Sequence, residues 1–261
     1  MNDNNKFFNS ALDVSDQIRE LIMEYYSKGF SSEEKEDQTL VTEADRAAEK
    51  RLREFIDEHY PSHGVLGEEF PNQNPQAEYQ WIIDPIDGTQ NFAHHIPTFG
   101  TIISLYRNGE AQLGIIDHPA LDIRYQALKG GGVYRNGERL KIKDNNLPLQ
   151  INEVIGLATR GMFARSDEEN IFDKLVKFHA SHRIYYDVFS TSLAISGSLA
   201  AMVEYNCTLW DISCTELMIN EAGGLYILTN SIPRENLPPR ISAVYGRPTA
   251  VKQLVEFINK S

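Results

Sequence analysis

Cysteine is nearly absent from this sequence, and so is any long apolar run. Cys207 and Cys214 are the two cysteines in 261 residues, too few for the disulfide framework that stabilises small secreted domains. The N-terminal segment is polar and lacks the basic-then-apolar order of a secretory signal. No apolar run approaches the ~20 residues that span a bilayer. We therefore expect a cytoplasmic protein with no membrane partner.

Basic residues are also in short supply. The chain has 25 Lys and Arg against 37 Asp and Glu, a formal net charge of -12. Electrostatic binding of nucleic acid needs a basic face, so we expect no nucleic-acid partner. An acidic enzyme that acts on an anionic substrate would need bound cations to reverse the local sign of charge. Several carboxylates in one pocket would meet that need.

The sequence does contain enough apolar material for a full core. With 41% hydrophobic and 24% charged residues, the chain can form one large domain or two small ones. Apolar spacing predicts a helix over 8–26, and the charged stretch 31–38 predicts a loop with Lys35 in solvent. Asn108-Gly109 predicts a hairpin turn.

The two parts of the chain differ in pattern. The first part combines helices with strands joined by tight turns, which predicts an α+β half with a meandering antiparallel sheet. The polar stretch 144–150 predicts a domain boundary. Beyond it, strands alternate with helices, one of them expected over 209–222, which predicts an α/β half. We therefore predict an N-terminal domain, residues 1–145, and a C-terminal domain, residues 146–261.

The stretch 81–92 concentrates residues that carry chemistry. A short apolar run predicts a buried strand that stops at Asp84, because Pro85 has no N–H to continue the ladder. Asp87 follows three residues after Asp84, and Gly88 allows a close approach to the backbone. Two carboxylates at a strand end suit hard cations, which take oxygen ligands. The alternative is an ordinary turn, since Asp, Pro and Gly are common turn residues.

Other polar positions also have structural alternatives. Thr42 followed by Asp45 is a capping-box pattern, so Asp45 can serve a helix start as well as a site. Glu68 opens a Glu pair of a kind that is usually solvated on a surface loop. His94 and His95 have no Cys or further His at ligand spacing, so we expect no metal at that pair.

Four motifs in order resemble a known family. They are Thr42-Glu43-Ala44-Asp45, Gly67-Glu68-Glu69, Asp84-Pro85-Ile86-Asp87-Gly88-Thr89, and Trp210-Asp211 followed by Glu221-Ala222-Gly223-Gly224. The set resembles the inositol monophosphatase superfamily of Mg²⁺-dependent, often lithium-sensitive phosphatases, over nearly the whole chain. The resemblance implies a layered αβαβα fold of the α/β class, and relatives are commonly homodimers.

The resemblance also implies a site for two or three Mg²⁺ ions. The implied ligands are Glu68, Asp84, the carbonyl of Ile86, Asp87 and Asp211. Asp84 would contribute to both main ions, Glu68 would help hold a weaker third through water, and Asp211 would also contact substrate. Two such ions can neutralise phosphate charge, activate water and stabilise the leaving group.

The same resemblance implies the catalytic groups. Asp45 and Thr89 would form a hydrogen-bonded pair that orients and deprotonates the attacking water, with Glu68 acting through its water-held ion. The backbone N–H groups of Gly88 and Thr89 would receive the phosphate at a helix start.

Several segments, including 97–101 and 114–119, resemble the histidinol-phosphate phosphatase branch. Asp187 stands where that branch has an Asp before a helix, and its carboxylate would pair with a substrate ammonium group. The structural alternative is that Asp187 is an N-cap. Glu204 matches the family position that contacts substrate hydroxyl or amine groups.

Two stretches depart from that branch. Residues 91–95 look more like inositol phosphatases, and residues 188–190 lack the usual Cys-Tyr-containing run. We expect a phosphomonoesterase for a small polyol or amino-alcohol phosphate, with histidinol phosphate first and myo-inositol monophosphate as the alternative. A non-catalytic, metal-stabilised scaffold is a further alternative. A nucleotide 3′-phosphatase or sugar bisphosphatase would need a basic cluster that the sequence does not show.

Overall fold

The computed structural model describes residues 3–34, 40–164, 169–185, 187–235 and 237–260. Its first elements are α1 (Asp3–Lys28), β1 (Ser32–Glu34), β2 (Leu40–Thr42), α2 (Glu43–His59), β3 (Gly64–Gly67), β4 (Tyr79–Asp87), α3 (Thr89–Ala93), β5 (Gly100–Arg107), β6 (Glu110–His118), a 3₁₀ turn (Pro119–Leu121), β7 (Ile123–Leu128), β8 (Gly132–Arg135) and β9 (Glu138–Arg139). They are followed by β10 (Ile155–Leu157), α4 (Arg160–Ala164), α5 (Glu169–Phe178), β11 (His182–Ile184), α6 (Val188–Ile195), β12 (Ala201–Cys207), α7 (Leu209–Ile212), α8 (Thr215–Glu221), β13 (Leu225–Arg234), β14 (Leu237–Gly246) and α9 (Pro248–Asn259). Within these described ranges, no helix is long and apolar enough to cross a membrane.

The first large sheet holds β3 to β9 in chain order. β3 and β4 are parallel, and each later pair is antiparallel, which is the predicted meander. Between β5 and β6, Asn108 has φ 50° and Gly109 has φ 81°. Both angles lie in the left-handed region that a two-residue hairpin turn requires, so the predicted turn is confirmed.

Helices α1 and α2 pack against each other and against this sheet. The apolar residues of α1 recur at helical spacing, and Ala11, Ile18 and Ile22 are fully buried. They share one core with Trp81 of β4 and Phe92 of α3. The burial of this apolar stripe holds the N-terminal helices on the sheet.

The second large sheet has the strand order β11, β10, β12, β14, β13. β10 runs parallel to β11 and β12, whereas β14 is antiparallel to both β12 and β13. Parallel neighbours joined through helices are the pattern expected of an α/β half. The closing hairpin of β13 and β14 makes the sheet mixed.

The helices complete a layered arrangement. α8 packs on β6, β7 and β8 of the first sheet and on β13 and β14 of the second, so it lies between them. α9 packs on β13 and β14, and Phe257 of α9 stacks on Phe178 of α5 with ring centroids 4.3 Å apart. The predicted layered α/β fold is confirmed. The division into domains 1–145 and 146–261 stays a prediction.

The predicted end of β4 at Asp84 was wrong. The strand continues through Pro85 to Asp87, with a register shift between Asp84, which pairs with Ile102, and Asp87, which pairs with Gly100. The shift inserts one extra residue on β4, which is a β-bulge. A proline is tolerated there because the ladder is already interrupted and its missing N–H is not needed.

Two further local predictions need correction. The helix expected over 209–222 is broken after α7, at the point where the Tyr106 hydroxyl donates a hydrogen bond to the Ser213 carbonyl at 2.6 Å. Part of the loop expected over 31–38 is instead the strand β1, which pairs with β2. Residues 35–38, including Lys35, lie outside the described residues.

Candidate active site

The end of β4 places two buried carboxylates beside a tight turn. Asp84 is 2% exposed and Asp87 is 8% exposed. In a regular strand, residues three apart point to opposite faces, but the extra residue of the bulge turns these two side chains toward one face. Gly88 follows at φ 85° and precedes the short helix α3. A left-handed conformation of this kind favours glycine.

Asp45 and Thr89 are joined by a hydrogen bond. Asp45 is 1% exposed at the start of α2, and its Oδ2 accepts from the Thr42 N–H at 2.8 Å, which completes the capping box. Its other oxygen, Oδ1, accepts from the Thr89 hydroxyl at 3.2 Å. The Thr89 hydroxyl also lies 3.0 Å from the Ile86 carbonyl oxygen. The capping contact and the predicted pairing are therefore both present in the structure.

Asp211 enters the same region from the C-terminal half. It lies on α7, which packs against β4, and its Oδ2 accepts a hydrogen bond from the Thr208 N–H at 2.6 Å. Arg240 of β14 donates to the Thr208 hydroxyl at 3.0 Å and to the Asn206 carbonyl at 3.1 Å. These bonds hold the turn that carries the Asp211 carboxylate toward the end of β4.

Burial and their mutual charges raise the pKa values of three aspartates that lie near Glu68, and we call Glu68, Asp84, Asp87 and Asp211 the acidic cluster. Burial, then the nearby Glu68 carboxylate, raises the pKa of Asp84 well above its usual range. Burial and neighbouring carboxylates also raise the pKa of Asp87. Burial, with Glu68 again contributing, raises the pKa of Asp211 to about 7. A buried cluster of like charges favours a bound proton or a bound cation.

The oxygens of β4 fit a hard cation. Asp84 Oδ1 and Asp87 Oδ2 are buried and have no hydrogen-bond partner among the described residues, and buried polar atoms are rarely left without a partner. Within the same residues, however, no group of three or more His, Cys, Asp and Glu side chains is gathered so that it could hold a metal ion. The predicted ligand set stays a prediction.

Asp187 lies against the turn at Gly88. Its Oδ2 accepts a hydrogen bond from the Asn91 amide at 2.6 Å, and a Cβ added to Gly88 would lie 3.0 Å from the same oxygen. Burial raises the pKa of Asp187 to about 7. Asp187 occupies the N-cap position of α6. The backbone N–H of Phe189, two residues further on, opposes the rise in the pKa of this carboxyl, so the capping alternative stays open.

Glu204 is buried on β12 near these groups. It is 5% exposed, and its Oε2 accepts a hydrogen bond from the Tyr245 hydroxyl at 3.3 Å. Burial, then the charge of Asp211, raises the pKa of Glu204 to about 8. The two predicted substrate-binding carboxylates, Asp187 and Glu204, both lie close enough to Asp87 to raise its pKa.

One buried carboxylate that contacts this region is not among the residues predicted from the sequence. Glu49 of α2 is fully buried and accepts a hydrogen bond from the Glu69 N–H at 2.7 Å. A signal was present, because Glu49 lies four residues after Asp45 and four before Arg53. That spacing puts all three on one face of α2.

Comparisons with known proteins find related sequences over most of the chain. A model of the inositol monophosphatase family matches residues 3–255. The chain is 33% identical to a fructose-1,6-bisphosphatase/inositol-1-monophosphatase of Aquifex aeolicus, over 75% of each chain. It is 32% identical to a histidinol-phosphatase of Chlorobaculum parvum, over 82% of each chain.

A solved structure has the same fold. The crystal structure of the extragenic suppressor protein suhB from Bartonella henselae superposes with a TM-score of 0.86 at 22% identity, over 98% of this chain and 99% of that one. The family is generally metal-dependent. Its model covers nearly the whole chain, so this protein is a phosphoric monoester hydrolase of the inositol monophosphatase family.

Proposed function

We propose that this protein is a Mg²⁺-dependent phosphomonoesterase whose reaction takes place between β4, α2 and α7. The observation that carries the proposal is the hydrogen bond from Thr89 to Asp45 in the same region as Asp84 Oδ1 and Asp87 Oδ2, two buried oxygens without a partner among the described residues. Glu68, Asp84, the Ile86 carbonyl, Asp87 and Asp211 would hold the two or three ions. Mg²⁺, when bound there, supplies charge neutralisation and a nucleophile at neutral pH.

Thr89 and Asp45 would handle the proton of the attacking water. The Thr89 hydroxyl has a single proton, and donating it to Asp45 Oδ1 leaves the oxygen lone pairs to accept a hydrogen bond from water. Asp45 is held by the capping bond from Thr42, so its other oxygen, Oδ1, has a fixed direction. The pair would thereby orient the water and relay its proton to the carboxylate.

The backbone at Gly88 and Thr89 would position the phosphate. These residues begin α3, and the first N–H groups of a helix have no partner within the helix. The positive φ of Gly88 sharpens the turn, so the two N–H groups can point to one anion. Substrate phosphate would then lie between these donors and the acidic cluster.

Histidinol phosphate is our first candidate substrate. Asp187 Oδ1 is buried and has no hydrogen-bond partner among the described residues, and a substrate ammonium group would satisfy it. Glu204 lies in the same acidic region and would contact a hydroxyl or amine. The Chlorobaculum parvum relative, named a histidinol-phosphatase, also supports this choice.

The alternative substrate is myo-inositol monophosphate. The observation that favours it is the Asn91 amide, which already occupies Asp187 Oδ2 at 2.6 Å. A carboxylate held in this way can serve as an acceptor for a polyol hydroxyl as well as for an ammonium group. The Aquifex aeolicus relative carries inositol-1-monophosphatase in its name.

A direct comparison of substrates tests the proposal. We expect phosphate release that requires Mg²⁺, with a higher kcat/KM for histidinol phosphate than for myo-inositol 1-phosphate. Equal or reversed preference would remove the histidinol assignment. Absence of Mg²⁺-dependent release across a panel of small phosphate esters would overturn the metal-dependent phosphatase and leave the scaffold alternative.

We also propose a cytoplasmic homodimer. The two cysteines, Cys207 and Cys214, are free and buried in the described part of the chain, as is usual in a reducing compartment. The dimer rests on the family resemblance. Light scattering on the purified protein should give twice the mass of one chain, and a single monomeric peak would contradict it.

A further inference from the structure

Glu49 is a buried charge with a specific partner. Its side chain is 0% exposed, and Arg53, one helical turn later, lies 2.8 Å from it in an ion pair. Burial raises the pKa of Glu49, and Arg53 opposes that rise. A buried ion pair adds little stability by itself. Its presence in the core therefore calls for another explanation.

The explanation lies in what the pair contacts outside α2. The Glu49 carboxylate accepts hydrogen bonds from the Glu69 N–H at 2.7 Å and the Phe70 N–H at 3.2 Å. Arg53 donates to the Phe70 carbonyl at 3.1 Å. The ion pair thus contacts both N–H donors and a carbonyl acceptor in the backbone of the turn that follows β3. Glu68 lies inside that turn.

Gly67 shows how closely the carboxylate approaches this turn. A Cβ added to Gly67 would overlap the Glu49 carboxylate. The backbone of Gly67 does not have the positive φ that would itself explain a glycine. The neighbouring Glu49 carboxylate does explain it, because it leaves no room for a Cβ at this position. Glu49 therefore contacts the backbone on both sides of Glu68, by close approach at Gly67 and by hydrogen bonds at Glu69 and Phe70.

We infer that Glu49, held by Arg53, is a positioning residue that fixes the backbone around Glu68 and so sets the affinity of the site for its cation. The inference rests on the proposed role of Glu68 as a metal ligand. Mutation of a group that orients a metal ligand typically lowers metal affinity or activity 10- to 100-fold. Glu49 acts through two amide hydrogen bonds, so its loss should loosen the turn first.

The test combines hydrogen exchange with Mg²⁺ titration calorimetry on the full chain. Glu49→Gln keeps one acceptor oxygen and replaces the other by an NH₂ group, so at least one of the Glu69 and Phe70 amides loses its acceptor and should exchange faster. Mg²⁺ affinity should fall about 10-fold or more. The KM for substrate, measured at saturating Mg²⁺, should change by a smaller factor than the Mg²⁺ affinity. Glu54→Gln, on the exposed face of the same helix, should leave both quantities unchanged.

Unchanged Mg²⁺ affinity in Glu49→Gln, or unchanged exchange at the two amides, would overturn the inference. If that variant does not fold, Glu49→Leu with Arg53→Met replaces the ion pair by apolar groups and should give the same two effects. Failure of both variants to fold would show a requirement of the whole core, and would also overturn it. Glu68→Gln separates the two ideas: normal Mg²⁺ affinity there would refute the proposed ligand role itself.

Discussion

The Asn91 amide and the Asp187 carboxylate lie 2.6 Å apart, although 96 residues separate them in the chain. Asn91 belongs to α3, directly after the β4 turn, and also donates to the Thr98 hydroxyl at 3.2 Å. Asp187 begins α6 of the C-terminal half. This bond therefore connects the proposed phosphate-binding turn with the group proposed to select the substrate.

Removing the Asp187 charge should affect substrates unequally. In Asp187→Asn, an ammonium-bearing substrate loses a charge-assisted hydrogen bond of about 1.5–3 kcal/mol. We expect kcat/KM for histidinol phosphate to fall about 10- to 100-fold, and that for myo-inositol 1-phosphate to change much less. Steady-state kinetics with both substrates measure the effect. Equal losses on both would point to a folding defect and against substrate selection.

The Thr89–Asp45 pair should govern turnover. Thr89→Val removes the hydroxyl and keeps the shape, so kcat should fall about 10²- to 10⁴-fold. Mg²⁺ affinity, measured by calorimetry, should stay near the wild-type value because the proposed ligand oxygens are untouched. Thr89→Ser restores a hydroxyl and should recover most of the activity. A Thr89→Val variant with wild-type kcat would exclude the pair from proton transfer.

In the absence of Mg²⁺, the acidic cluster should lower the thermal stability of the protein. The raised pKa of Asp84 means that its charged form is disfavoured in the folded protein. Asp84→Asn removes that charge, so we expect Tm in chelator to rise by about 2–4 °C, the shift that about 1 kcal/mol produces at this chain length. Calorimetry should also show that added Mg²⁺ raises Tm of the wild type but not of the variant. A fall in Tm in chelator would contradict this account.

His63 should make stability depend on pH. Its Nδ1 accepts a hydrogen bond from the Trp81 indole at 3.1 Å, and burial lowers its pKa. The unfolded chain, with a His pKa of about 6.5, binds the proton more readily than the folded protein. This contribution to stability is therefore present above that value and is lost as pH falls below it toward the folded pKa.

The measurement is urea unfolding of wild type and His63→Asn between about pH 7.5 and pH 5. Asn keeps an acceptor for the Trp81 indole but does not titrate. We expect the wild type to lose stability more steeply on acidification, by up to about 1.4 kcal/mol per pH unit. If stability fell equally with pH in the two proteins, His63 would have the same pKa in the folded and unfolded states, which would contradict this prediction.

Short-range features of the site could be predicted from sequence because local chemistry determines them. The capping box of Thr42 and Asp45 and the turn at Asn108-Gly109 each need only residues close together in the chain. The four family motifs likewise named the acidic positions that the structure brings near one another. Whether these carboxylates share ions is still a prediction.

Contacts between distant segments could not be predicted. No local pattern shows that Asn91 contacts Asp187, or that the Tyr106 hydroxyl of β5 donates to the Ser213 carbonyl where the helix breaks after α7. Proline disfavours strands, and β4 continues through Pro85 because the residues on either side of it pair with β5. The contacts of Glu49 with the Glu69 and Phe70 amides could not be predicted, because those amides lie in the turn after β3, outside α2.

The most direct test of the account is a crystal structure with Mn²⁺ in place of Mg²⁺, in which anomalous scattering locates the metal. The account predicts anomalous peaks between Glu68, Asp84, Asp87 and Asp211, with the Ile86 carbonyl at ligand distance, about 2.0–2.2 Å for a hard cation of this size. Peaks elsewhere, or an ordered site without Mn²⁺ at saturating concentration, would contradict the shared-ion site.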